Sequence, residues 1–492
     1  MQTDCSTTRF EFGAVEGRRL EARFDGGTIT SNAGALLLGR VDKALRLVER
    51  LAACFVDRRN PALIEHSVPT LLGQRLFGLS LGYEDLNDHD ALRFDPVFAA
   101  LAGKLKAHRA DCAPVAGKST LNRLERSKET PSRYHKINYD GAAIEALLVD
   151  LFIEAHKIAP EEIILDLDAT DDPLHGEQEG RFFHGYYDCY CYLPLYVFCG
   201  RHLLVAKLRK ADIDASAGAI EEMARVIERI RAAWPEVRVL LRADSGFARE
   251  GLMAWCESNG VDYLFGLAKN ERLNAALADD LAAAAKESEA TGKSARRFKD
   301  FVYRTRDSWS RERRVVGKAE WMTPTQADLD DTAQRENNEA KKKKKTKKKK
   351  KAKTPAPDAP GRGNPRFVVT SLSKERYEAR TLYEERYCAR GEMENRIKEC
   401  QLDLFADRTS CHTMRANQLR LYLASFAYVL VSALRRIGLA GTKFADATCG
   451  TIRLKLLKIG AQAKTSVRRM LFSMVSAFPY VHEYAAACAA LT

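Results

Sequence analysis

The 492-residue sequence predicts a mixed α/β fold preceded by a helical region. Three observations carry this. Between Thr30 and Ile158 apolar residues recur at helical spacing. Between Ile163 and Ala268 β-branched runs alternate with helical ones. A lysine-rich, low-complexity stretch then precedes a last helical block, Glu392 to Ile437. With 46% hydrophobic residues there is material for large cores, and length alone suggests about three domains, insertions included.

In the helical region, Ala35 to Leu38 with Val41, Leu45, Leu47 and Val48 form one apolar face. Leu71 to Phe77 begins a second helix that Gly82 stops, and Leu121 and Leu124, among Lys118, Arg123 and Arg126, mark a third. Ile163 to Asp168 reads as a strand. Tyr186 to Cys199 is a long aromatic and β-branched run with a bend expected at Pro194, and Gly200-Arg201 is a tight hairpin signal leading into His202 to Leu208. Ala219 to Trp234 has helical spacing and ends at Pro235. Val237 to Ala243 is a fourth strand, Arg249 to Ser258 a helix closed by Asn259-Gly260, and Asp262 to Ala268 a fifth strand.

Three strands, a helix, a strand, a helix and a strand is the order of the ribonuclease H-like fold. There an antiparallel hairpin pair joins parallel strands through helical crossovers. Short strand candidates follow at Arg297 to Tyr303, Arg313 to Val316 and Arg366 to Ser371, interrupted by a segment expected to be disordered. The expected division is a helical N-terminal region 1–158, a first part of the catalytic core 159–270, a β-rich insertion 271–371 with a Lys-rich linker 328–365, a second core part 372–437, and a C-terminal region 438–492. In the last, Thr451 to Lys458 alternates polar and apolar residues and a basic helix is expected near Arg468-Arg469.

The net charge of +13 suggests a nucleic-acid partner, but Lys341 to Lys353 holds 11 lysines, and 13 less 11 leaves only +2 elsewhere. A tethered DNA clamp is one reading of that tract; a solvated linker fits its composition better. The 12 cysteines include no CxxC pair. Cys189 and Cys191 with His184 or His202 could form a zinc site, but buried thiols on a strand are the better reading. The opening residues carry no apolar signal core, so free thiols in a reducing cytoplasm are expected. Leu421 to Leu434 is too short to span a bilayer and reads as a core helix, so no membrane partner is expected.

Asp168 ends the first strand, Asp244 the fourth, and Glu394 lies in a helical stretch. In the predicted fold these three meet. Carboxylates on rigid elements bind hard cations, and two Mg²⁺ held about 3.5–4 Å apart can stabilise both the attacking and the leaving oxygens of a phosphodiester. Strand alternation puts Asp166 on the same face as Asp168, so either could be the ligand. Tyr387, Arg390, Glu394 and Lys398 follow at steps of three, four and four and share one helical face. Arg390 could fork two phosphate oxygens there. Gly117-Lys118-Ser119-Thr120 resembles the end of a phosphate-binding loop, but Cys112 stands where that loop needs glycine, so a helix start is the better reading.

With these residues in view, the chain resembles DDE transposases of bacterial insertion sequences. The particular likeness is to the insertion sequence 1380 family, in the group with a Tyr-x2-Arg-x3-Glu-x6-Lys signature. Tyr387, Arg390 and Glu394 match it; the fourth place holds Gln401 rather than lysine, and Lys398 could substitute. Asp168-Ala169-Thr170 matches the family's first acidic motif, which favours Asp168 over Asp166, and Arg242-Ala243-Asp244-Ser245-Gly246 matches the second. Stretches around Thr30, Gly82, Ser119 and His175 are similar too. The resemblance implies that Asp168, Asp244 and Glu394 hold two Mg²⁺, with Mn²⁺ able to substitute, and that Tyr387, Arg390 and Lys398 orient DNA. It also implies binding of terminal inverted repeats and target duplex, a homodimeric synaptic complex, cleavage at element ends and strand transfer. A metal-dependent nuclease without mobility, or a catalytically silent DNA-binding protein, are the alternatives.

Overall fold

Runs of Ile, Leu, Val, Tyr and Phe bounded by turn residues build one large sheet. In the computed structural model, which describes residues 9–323 and 362–491, its first strands are β1 (Glu162–Ala169), β2 (Leu195–Cys199), β3 (His202–Lys207), β4 (Arg238–Ala243) and β5 (Asp262–Leu267). Three more follow: β6 (Ala295–Tyr303), β7 (Arg313–Met322) and β8 (Arg366–Thr370). The order across the sheet is β3-β2-β1-β4-β5-β8-β7-β6, with Arg362–Gly363 pairing at the end of β7. β1, β4 and β5 run parallel; β2 and β3 on one side and β8, β7 and β6 on the other are antiparallel to their neighbours. The strands of the 271–371 segment therefore extend the same sheet. The lysine tract and most of the expected 328–365 linker lie outside the described residues.

Parallel neighbours need crossovers, and helices supply them. The helices that matter here are α1 (Val68–Ser80), α2 (Gly141–Glu154), α3 (Ala219–Ala233), α4 (Glu250–Ser258), α5 (Gly391–Lys398) and α6 (Met414–Ala433). α3 joins β3 to β4 and buries Met223, Val226, Ile227 and Ile230 against Ile163, Leu165, Leu167 and Leu241 of the sheet. Each such side chain contributes roughly 1.5–3 kcal/mol of transfer free energy. Because side chains alternate along a strand, the even positions of β1 and β4 face the other way. There Ile164 and Leu240 meet Leu382 and Tyr383, on the helical run that leads to α5.

α6 is capped by Thr413, whose hydroxyl accepts the Ala416 N–H, and from Leu421 onward it is apolar on nearly all sides. By length and hydropathy it could cross a membrane, yet 78% of its most apolar window is buried within the protein. It packs against α1, and one continuous apolar cluster contains Leu71, Leu72 and Leu76 of α1, Ile144 and Leu148 of α2, Tyr196 and Phe198 of β2, and Leu419, Phe426 and Leu430 of α6. The N-terminal helices thus share their core with the C-terminal half of the chain.

Several local expectations meet corrections. The predicted run Tyr186–Cys199 breaks at Leu193-Pro194: Cys189–Tyr192 joins a separate small sheet with Phe182–His184 and Asp172–Pro173. Thr451 to Lys458 is helical over Cys449–Leu457, its Ile452, Leu456 and Leu457 buried at helical spacing. The basic helix expected near Arg468-Arg469 is a β-hairpin, Ala461–Thr465 with Met470–Met474, and the two arginines sit in its turn. There the Ser466 N–H donates to the Arg469 carbonyl, and the first hairpin strand also pairs with Ile29-Thr30. Those backbone partners, distant in sequence, override a local helical pattern.

Candidate active site

Parallel pairing sets two of the acids side by side. Arg242 is opposite Asp166 and Ala243 opposite Leu167, so Asp168 and Asp244 emerge from the carboxyl ends of adjacent strands β1 and β4. The third comes from α5. Asp168, Asp244 and Glu394 line one open cavity of about 660 Å³, together with Arg390, Lys398, Gln401, His184, Tyr186 and Tyr187. These acids lie 76 and 150 positions apart in sequence (244 − 168 and 394 − 244).

Each aspartate is held by its own turn. Asp168 Oδ1 accepts the Ala169 N–H at 2.9 Å, and Asp244 Oδ1 accepts the Gly246 N–H at 2.8 Å. Arg390 links the strand acid to the helix acid: its Nη1 donates to Asp168 Oδ2 at 3.3 Å and its Nη2 to Glu394 Oε1 at 3.0 Å. Burial, reinforced by the neighbouring Asp244 and Glu394 charges, pushes the Asp168 carboxyl up to about 6 despite Arg390. Burial disfavours the Arg390 charge, but Asp168, Tyr387, Glu394 and Asp244 together outweigh it and raise its pKa. Three carboxylates against one bridging guanidinium leave a negative cavity, and Lys398 at its wall is exposed and forms no ion pair among the described residues.

Asp166 is engaged elsewhere. Arg242 Nε donates to Asp166 Oδ1 at 2.5 Å and Arg242 Nη2 to Asp166 Oδ2 at 2.8 Å, while Nη1 reaches the Arg386 carbonyl. Both Asp166 oxygens are thereby occupied and buried, and Asp168 alone of the two reaches the cavity. The pair also clamps the run before α5 onto the sheet.

That run is irregular. Leu382–Tyr387 is a π-turn, Cys388–Arg390 a 3-10 turn, and α5 starts at Gly391. The expected single face therefore splits. Arg390, Glu394 and Lys398 point into the cavity, whereas Tyr387 lies beneath the acids. Its hydroxyl sits over Gly266 of β5, where an added Cβ would meet it at 2.5 Å, with the Ser245 nitrogen at 2.9 Å and the Asp244 carbonyl carbon at 3.2 Å. Burial, then the Asp244 charge, raises the Tyr387 phenol above its ordinary value, with Arg390 opposing. Gln401 also lines the cavity and donates Nε2 to the Asp171 carbonyl at 3.1 Å.

Sequence reasoning missed Arg242, Gly266 and the aromatic rim. Cross-strand pairing of Arg242 with Asp166 shows only once the register is known. The rim is the tip of the Phe182–Tyr192 hairpin, where the Tyr187 hydroxyl reaches the Ala169 carbonyl at 3.4 Å and Tyr186 is 85% exposed. Cys189 and Cys191 lie on this hairpin; burial and the adjacent Cys189 push the Cys191 thiol up to about 12. Among the described residues no group of three His, Cys, Asp or Glu side chains is drawn together tightly enough to stand as a preformed metal cage. Arg390 stands between Asp168 and Glu394 and is paired with both.

The chain belongs to the transposase DDE domain group 1 family, whose model matches residues 12–330 and 346–492. Two aspartates and a glutamate, the residue types in that family's name, are those that converge on the cavity. No curated protein matches the sequence. Among solved structures the chain is similar to a cryo-EM structure of a piggyBac transposase synaptic complex with hairpin DNA, at 11% identity and a TM-score of 0.36, over 86% of this chain and 79% of that one.

Proposed function

We propose that this protein is a DDE transposase of the insertion sequence 1380 family, built on a ribonuclease H-like core, that cuts the ends of its element and joins them to target DNA. The observation that carries the reading is the convergence of Asp168, Asp244 and Glu394 on one cavity. Its oxygen donors, charge and size suit two hard divalent cations, Mg²⁺ or in its place Mn²⁺, and Asp168, Asp244 and Glu394 would hold them. Such ions would activate water and neutralise charge at the attacked phosphate.

The chain's own groups do the rest. The backbone N–H groups of Ala169 and Gly246 fix the two aspartates, and the Asp166–Arg242 pair fixes the strands and the approach of α5. The planar fork of Arg390 fits two phosphate oxygens as well as two carboxylates. Lys398, with no ion pair among the described residues, stands on the same wall and would take the place the signature lysine leaves at Gln401. Terminal-repeat recognition, homodimeric synapsis and action at the nucleoid belong to the same reading.

The test is Mg²⁺-dependent cleavage of the element's own terminal DNA by purified protein. Asp244→Asn is expected to abolish cutting and to spare DNA binding. Wild-type protein that binds the ends but never nicks them points to a silent DNA-binding protein; cutting without strand transfer points to a nuclease.

A further inference from the structure

Outside the lysine tract, one local excess of basic charge lies in the N-terminal half of the chain. Segment 117–138 carries six cations (Lys118, Arg123, Arg126, Lys128, Arg133 and Lys136) against two acids, Glu125 and Glu129, a net of +4. The whole chain without the tract has only +2. One of those acids does not offset the surface: Glu125 is 1% exposed and is held by Arg75 at 2.8 Å and Arg420 at 2.9 Å. Lys118 is tied down too, its Nζ on Asn87 and Asp90, and its backbone N–H on Asp90 at 3.0 Å. The Gly-Lys-Ser-Thr motif is therefore capped by a carboxylate and is not an anion cradle.

The other cations gather. Arg123, Arg133 and Lys136, with Arg59, line a concavity of about 230 Å³ whose other walls are Asn60, Thr120, Leu63 and Tyr134. Arg59 is neutralised by both oxygens of Asp57. Arg123, Arg133 and Lys136 are exposed and form no ion pair among the described residues. Tyr134 and Leu63 add apolar surface, 62% and 71% exposed. Burial, then Lys128, Arg126 and Arg123, draws the adjacent His135 below its ordinary value, which marks a positive local field. The concavity is smaller than the roughly 300–1,000 Å³ of ordinary small-molecule sites. Three cations at its rim, without ion pairs among the described residues, suit the repeating phosphates of a polymer.

We propose that this concavity is a docking point for the phosphate backbone of duplex DNA, separate from the acid-lined cavity, with Arg123, Arg133 and Lys136 as phosphate contacts and Tyr134 and Leu63 against the intervening sugar. The assignment rests on the transposase reading and names where its N-terminal half grips DNA.

The test uses the full chain, a short random-sequence duplex and binding by fluorescence anisotropy across a salt series. Each phosphate contact contributes a slope of about 0.9 in log K against log salt. The Arg123→Ala/Arg133→Ala/Lys136→Ala variant is expected to bind more than about tenfold weaker at low salt, with a slope shallower by about 2–3. Its denaturation midpoint should stay close to wild type, since the three exposed side chains form no ion pair among the described residues and Arg133 makes only an exposed contact with the Tyr134 ring, 5.7 Å to its centroid. A control variant losing the same charge at Lys286, Lys293 and Arg306 should keep the wild-type slope. Parallel salt plots for wild type and the triple variant overturn the proposal. So does an equal loss in the control, or a loss confined to single-stranded RNA or anionic vesicles. Wild type that leaves element ends uncut in Mg²⁺ sinks the catalytic reading instead, and the salt slope decides this site independently.

Discussion

Gly266→Ala adds one methyl group under the candidate active site, and the geometry sets its effect. The new carbon would stand 2.5 Å from the Tyr387 hydroxyl and within 3.2 Å of the Ser245 nitrogen and the Asp244 carbonyl carbon. Gly266 is buried in β5 and paired with Val368 of β8, so it cannot retreat. Something must move: Tyr387, or the turn that carries Asp244. Overpacking of this kind costs about 1–3 kcal/mol. If the turn gives way by about 1 Å, misplacement of Asp244 costs on the order of 10²-fold in rate. Removing the closest clashing atom with Tyr387→Phe should return part of the stability. A double-mutant cycle by urea melting is then expected to show a coupling of about 0.5–3 kcal/mol of compensating sign. The cleavage assay reports the second effect, and the double variant should remain slow because Ser245 and Asp244 are still pressed. A Gly266→Ala protein as stable and as active as wild type, or additive single effects, would refute the reasoning.

Further outcomes are expected. Arg242→Leu leaves the Asp166 carboxylate buried without its partner and should lower stability by about 3–5 kcal/mol in urea melts; Asp166→Asn/Arg242→Leu should recover part of that, and a harmless single substitution would count against the clamp. Asp172 is 1% exposed, and burial, with Asp407 and Asp171 nearby, pushes its carboxyl up to about 8. The folded state therefore holds this proton more tightly than the unfolded chain, so its contribution is full below about pH 4 and is lost as pH rises toward about 8, at up to roughly 1.4 kcal/mol per pH unit. Asp172→Asn should flatten that slope, and an unchanged profile in melts between pH 4 and 8 would show the burial to be relieved in solution. Lys398→Ala should slow cleavage without shifting the denaturation midpoint, and Gln401→Lys should tighten DNA binding and steepen its salt dependence by about 0.9; neither change altering DNA binding or cutting would remove both residues from the phosphate grip.

Much of the sheet was legible because each strand carries its own signal. The β-branched runs of β1 to β5 alternate on the observed faces, Pro194 breaks the run it was expected to bend, and Gly82 stops α1 with φ +90°. The acids were legible because each falls at a strand end or in a helical stretch. What sequence withheld was long-range. The strands after Ala295 carry no mark that they continue the same sheet, because an edge strand and an independent β-subdomain share one local pattern. Thr451–Lys458 reads as alternation, but burial of Ile452, Leu456 and Leu457 at helical spacing decides otherwise. Asp166 and Asp168 could not be separated from each other by periodicity; the register that sets Arg242 opposite Asp166 separates them.

The shared apolar cluster of α1, α2 and α6 has a consequence during synthesis. The first helices leave the ribosome more than 250 residues before the partner that covers them, since α1 ends at Ser80 and α6 begins at Met414. Until then Leu71, Leu72 and Leu76 pack only against the other N-terminal helices and lack the cover of α6, and Glu394 has not been made. A nascent chain, or one cut short by a premature stop, therefore lacks both the full cover of that cluster and the third acid of the cavity. The three-acid cavity is completed late, with the folding of the last hundred residues or so.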